Sequence, residues 1–138
     1  MKRTTLLLIL MLSPFSSAYA MMQNSPYALV FFFRSDCPYC HSFSSTLKQF
    51  TDINRMQTYA FSLNGKALAE FPVPIPATPD ISRLFFENPR SITVPATFLI
   101  NVNTRKFVKV SIGDVSYDQL NQSVHGILND PLILEAME

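Results

Sequence analysis

A chain of 138 residues with eleven lysines and arginines against ten aspartates and glutamates has room for one domain and carries no strong field of either sign. That balance excludes partners held mainly by charge, such as nucleic acid or an anionic membrane surface. Two cysteines in all exclude a disulfide-stapled miniature scaffold, and a zinc site would lack its second cysteine pair.

The first twenty residues read as an export signal. Lys2 and Arg3 make a basic start, Thr4 to Leu12 an apolar core, Ser13-Pro14 a break, and Ala18-Tyr19-Ala20 a small-x-small cleavage pattern. The apolar core is well short of the ~20 residues a spanning helix needs, so cleavage after Ala20 is expected and an uncleaved anchor is the alternative. Cleavage leaves 118 residues (138 less 20), read as one domain over 21–138, with nine basic residues facing ten acidic ones.

After a polar lead-in to Pro26, Tyr27 to Phe33 is apolar and β-prone, short enough for a strand buried on both faces. Arg34-Ser35-Asp36 turns the chain. Pro38 suits a first helical position, and Cys40, Phe43, Leu47 and Phe50 form a helical apolar stripe. Thr58 to Leu63 reads as a second strand, closed by Asn64-Gly65. The prolines between Phe71 and Pro79 are expected to forbid regular structure until a short helix starts near Thr78, carrying Ile81, Leu84 and Phe85. Ala96 to Asn101 is a third strand, followed by a tight turn to Thr104. Lys106 to Ile112 is a fourth, with Val108, Val110 and Ile112 alternating against Phe107, Lys109 and Ser111. Ser116 and Gln119 make a capping box for a last helix bearing Tyr117, Leu120, Val124 and Ile127, which Asn129-Asp130-Pro131 stops, leaving a short tail. The order β-α-β-α-β-β-α predicts an α/β domain with a four-stranded mixed sheet: the first two strands are parallel, the last two a hairpin.

Both cysteines fall where the first strand hands over to its helix, as Cys37-Pro38-Tyr39-Cys40. Exported cysteines are normally paired, but a bridge enclosing two residues staples almost nothing, so its purpose is chemical. Positions i and i+3 in a first helical turn reach the ~5.5–6 Å Cα separation that a disulfide prefers. A sulfur at a helix N-terminus feels the positive end of the backbone dipole, which favours thiolate. The stripe buries Cys40 and leaves Cys37 at the open end, which makes Cys37 the nucleophile and Cys40 the resolving thiol. Two rival readings stay open: an inert disulfide, and covalent haem attachment through Cys37-x-x-Cys40-His41 with Met56 or His125 as a second axial ligand.

With strand, Cys-x-x-Cys helix and hairpin in place, the chain resembles the thioredoxin-like superfamily, and Val94-Pro95 matches that superfamily's cis-proline position. The resemblance implies that Pro95 packs beside Cys37 and that the Val94 backbone pairs with an extended substrate. Pro38 and Tyr39 are then expected to shape substrate access. A closer likeness lies in the stretches Phe32 to His41, Phe71 to Asp80 and Pro95 to Thr104, which look like those of the thiol:disulfide isomerases of F-type conjugative transfer systems. Cys-Pro-Tyr-Cys also occurs in glutaredoxins, so the proline-rich stretch and the Asn-Val-Asn-Thr turn discriminate better. Two departures stand out: Val94 occupies a position where many isomerases have Thr, and Phe31 one where many thioredoxins bury an acid that takes the resolving thiol's proton.

The resemblance implies a periplasmic enzyme that needs no cofactor and rearranges disulfides in secreted components of the transfer and pilus apparatus. A membrane-bound electron donor would keep Cys37 and Cys40 reduced. A dithiol oxidase or reductase would use the same residues, and a redox-silent assembly adaptor would use neither cysteine.

Overall fold

The computed structural model describes residues 25–138, so the export signal and its cleavage site lie outside the described residues. The elements are β1 (Tyr27–Phe33), α1 (Pro38–Asn54), β2 (Thr58–Ser62), β3 (Ile75–Pro76), α2 (Pro79–Phe85), β4 (Ala96–Asn101), β5 (Phe107–Ile112), α3 (Tyr117–Leu128) and α4 (Pro131–Met137). One mixed sheet runs in the order β3-β2-β1-β4-β5. α1 carries the chain from β1 to a parallel β2, with Leu29 opposite Thr58 and Phe33 opposite Ser62. β4 lies antiparallel on the other side of β1, pairing Tyr27 with Asn101 and Phe32 with Ala96.

β1 is central, and its side chains alternate between two cores. Leu29, Phe31 and Phe33 join the α1 and α3 face with Phe43, Leu47, Phe50, Leu120 and Val124. Val30 and Phe32 join Phe98 on the opposite face, under Ile81, Phe85 and Phe86. The run of three phenylalanines is thus split across the sheet, and all three are fully buried.

Four expectations need correction. The sheet has five strands, not four, because the proline-rich stretch supplies β3, a two-residue parallel edge strand pairing Ile75 with Phe61 and Pro76 with Ser62. Proline is tolerated at an edge, where a missing N–H leaves no inner partner wanting. The tail is helical: Asp130 caps α4, accepting the Leu132 and Ile133 N–H groups, with Pro131 at the first position, so one Asp-Pro pair ends α3 and begins α4. Leu84 is 66% exposed, whereas Ile81 and Phe85 turn inward. The pairing of β5 with β4 shifts register between Thr97 and Phe98 of β4, and past it Ile112 is exposed instead of continuing the Val108 and Val110 face.

Candidate active site

Cys37 is the N-cap of α1, with extended backbone (φ −96°, ψ 113°), and Pro38 follows at the first helical position. The Cys40 N–H donates to Cys37 Sγ at 3.3 Å, satisfying one of the donors a helix start leaves open. The Cys37 N–H donates to the Arg34 carbonyl at 3.3 Å. The Cys37 thiol points at the Val94 carbonyl, 3.9 Å away, and the Val94–Pro95 peptide is cis. Cys37 is half-buried, whereas Pro38 and Tyr39 are exposed beside it, Tyr39 by 67%. Pro95 is buried, its carbonyl accepting the Gly113 N–H at 2.8 Å.

Cys40 is sealed. It has no exposed surface and sits in the cluster of Phe31, Phe33 and Phe43. Burial, and then the hydrogen bond with Cys37, push its thiol up from 9.0 to about 12. Both cysteines are free thiols, one half-buried and one enclosed.

Phe31 fills the space where a buried acid was wanting in the sequence. Its ring packs on Phe33, Phe43 and Phe71, at centroid distances of 5.2, 5.7 and 5.4 Å. A carboxylate does approach α1 one turn beyond Cys40: Glu70 accepts hydrogen bonds from the Ser44 and Ser45 hydroxyls, both at 2.7 Å. Those hydroxyls hold the Glu70 carboxyl below its ordinary value.

Several bracing residues were not singled out by sequence reasoning. Asn64, read only as part of a turn, accepts the Ser35 N–H at 3.2 Å and donates to Ser35 Oγ at 2.8 Å. It thereby ties the active-site loop to the end of β2 across 29 residues, a separation no local pattern reveals. Arg34 and Asp36 form a two-point ion pair within that loop, which holds the Asp36 carboxyl below its usual value. His41 Nε2 lies 2.6 Å from the Ser35 carbonyl and so must carry the proton there.

This arrangement suits neither haem attachment nor an axial ligand from the residues first considered. A haem joined to both sulfurs needs Cys40 turned outward, whereas it lies inside the phenylalanine cluster. His125 packs edge-on against Phe50, thirteen residues along α1 from Cys37 and so ~20 Å away at 1.5 Å per residue. Met56 packs against the core just past that same far end of α1.

The chain matches the model of the family described as TraF, F plasmid transfer operon protein, over residues 17–125. It is 38% identical to protein TrbB of Escherichia coli (strain K12) over 76 residues, 55% of this chain but only 41% of that protein. Among solved structures, StoA from Bacillus subtilis superposes with a TM-score of 0.50 at 18% identity, covering 72% of this chain and 83% of that one. The dsbF structure from MTB gives 0.54 at 15% identity, covering 74% and 81%. At those identities the solved structures speak to fold, and the fold they share is thioredoxin-like. A family match spanning most of the chain, with a cysteine pair capping the helix after the central strand, makes this protein a thioredoxin-like member of the TraF family of F plasmid transfer operon proteins.

Proposed function

We propose that the protein is a periplasmic thiol:disulfide isomerase, made with a signal over residues 1–20 and working as the domain 21–138. Its substrates are disulfide-containing secreted components of a conjugative transfer and pilus apparatus, and a membrane electron donor keeps its two thiols reduced. One observation carries the reading: Cys37 Sγ sits at a helix N-cap, facing the Val94 carbonyl, while Cys40 is enclosed one turn below.

In the reaction, Cys37 thiolate attacks one sulfur of a wrong substrate disulfide. The new Cys37–substrate bond forms as the old bond breaks, and the departing substrate sulfur leaves with the electron pair. The Cys40 N–H, 3.3 Å from Cys37 Sγ, donates to the attacking sulfur and holds it at the helix start. Val94 offers its backbone to the substrate strand as an edge partner, and Pro38 and Tyr39 border the approach. A second substrate thiol then displaces Cys37 in the correct pairing. Escape through Cys40 instead releases reduced substrate and leaves a Cys37–Cys40 disulfide for the electron donor. Because Cys40 stays protonated until strongly alkaline pH, the first exit is favoured and the mixed disulfide persists long enough to rearrange.

Refolding of scrambled ribonuclease tests this. The reduced protein is expected to restore activity, Cys40→Ser to retain a substantial part of it, and Cys37→Ser to restore none. Equal turnover by Cys37→Ser would end the proposal. Trapping the cysteines in cells separates the modes: mostly reduced for an isomerase, mostly disulfide-bonded for an oxidase.

A further inference from the structure

Three arginines from three segments converge on one cleft of about 610 Å³: Arg34 from the active-site loop, Arg83 from α2, and Arg90 from the stretch leading to Val94. Leu63, Ala77 and Ile92 add apolar lining, and no acidic residue lines it. Arg34 spends Nε and Nη2 on Asp36, and Arg83 spends Nη1 on Asp80. A guanidinium has five N–H donors, so both keep donors to spare. Arg90 forms no ion pair among the described residues. Three cations against two aspartates leave the cleft net positive.

The cleft adjoins the reactive sulfur. The Arg34 carbonyl accepts the Cys37 N–H, and Ile92 stands two residues before Val94, whose carbonyl faces Cys37 Sγ. An extended chain advances ~3.3 Å per residue, so a substrate laid along Ile92 to Val94 reaches the cleft within two or three residues of the attacked cysteine. We infer that this cleft selects disulfide-bonded polypeptide segments bearing Asp or Glu two or three residues from the cysteine that Cys37 attacks. The guanidiniums supply the planar, multi-donor recognition that carboxylates favour, over a partly apolar floor that weakens competition from water.

The inference rests on Cys37 exchanging disulfides, so the test keeps the two separable. Peptides with one cysteine activated as a 2-thiopyridyl disulfide, and Glu, Gln or Lys two and three residues to either side, are mixed with Cys40→Ala protein. Attack forms the Cys37–peptide bond, breaks the peptide–pyridyl bond and releases pyridinethione, whose absorbance gives the rate. At low salt the Glu peptide is expected to react ~5–10-fold faster than the Gln peptide, with Lys slowest, the size expected of a few partly exposed charge contacts. The ratio should shrink to within about twofold at 0.5 M NaCl, where screening is strong. It should shrink likewise in the double variant Arg83→Gln/Arg90→Gln. A Glu-to-Gln ratio near one at low salt overturns the inference while leaving disulfide exchange standing, because both peptides still react. A full ratio surviving in the double variant overturns it too. Release from no peptide overturns the exchange reading itself. Should the double variant fail to fold, the salt series and the Lys peptide on otherwise intact protein decide the matter.

Discussion

Cys40 offers the sharpest quantitative handle. Its thiol is pushed up to about 12 from 9.0, chiefly because it is buried among Phe31, Phe33 and Phe43. At pH 7 a thiol at 9.0 is about 1% thiolate and one at 12 about 0.001%, a loss of about a thousandfold in attacking species. The more basic sulfur is intrinsically more nucleophilic, and a Brønsted coefficient of ~0.4–0.5 returns about 20-fold. Resolution by Cys40 should therefore run about 50-fold slower than by an ordinary thiol held in the same place. The shape of the pH profile is more decisive than the absolute rate. With Cys37 loaded as its mixed disulfide with thionitrobenzoate at pH 5 and then jumped upward in a stopped-flow instrument, release of the chromophore reports Cys40 attack. The rate should climb tenfold per pH unit from 7 to 10 without levelling. Loading removes the hydrogen bond with Cys37, which eases the shift somewhat, but burial is its larger cause and remains. A plateau at or below pH 9 would refute the claim that burial governs this thiol.

Two further outcomes follow from packing and linkage. Because the folded value for Cys40 lies above the unfolded one, the native state holds a proton that the unfolded chain gives up, so its stabilising contribution is complete below pH 9 and fades as pH rises toward 12. Between pH 8 and 10 the reduced protein should lose about 1.4 kcal/mol more unfolding free energy than Cys40→Ala, a comparison that cancels other alkaline titrations. A constant difference in urea midpoints would show the thiol to be solvated. Met137 on α4 is 3% exposed, and its carbonyl accepts Asn101 Nδ2 at 3.1 Å and Thr104 Oγ1 at 2.6 Å. Met137→Ala should cost about 2 kcal/mol by urea denaturation, toward the low end for buried truncations because the site lies at the edge of the core. A cost under about 0.5 kcal/mol would mean that α4 adds nothing to the core.

Where periodicity was strong, it sufficed to place elements. The Cys40, Phe43, Leu47, Phe50 stripe located α1, and the capping box at Ser116 and Gln119 is present atom for atom. Local signals failed where one residue pair has two meanings. Asp130-Pro131 is both a stop and a start, and only the burial of Met137 chooses between them. The prolines around Ile75 argue against a strand unless it is known to lie at the edge, and edge position is a property of the sheet. Cys37 and Cys40 announced themselves through spacing. The residues that brace the segments on either side of them did not: Asn64, 29 residues from Ser35, and Glu70, 26 residues from Ser44, act only across the fold.

The placement of the cysteines and the missing acid trace to the same strand. β1 is buried on both faces because the sheet flanks it with β2 and β4 and covers it with helices above and below. Phe31 and Phe33 therefore belong to the same apolar wall that encloses Cys40. An acid at Phe31 would give Cys40 an internal base, but its carboxylate would enter a cluster with three aromatic neighbours, where an unpaired charge costs several kcal/mol. Phenylalanine removes that cost and with it the base. A central strand rigid enough to present Cys37 at its C-terminal exit is thus, in this sequence, also the feature that slows Cys40. Under the proposed function, slow closure by the second thiol lengthens the life of the mixed disulfide, the intermediate through which a wrong pairing is exchanged for a right one.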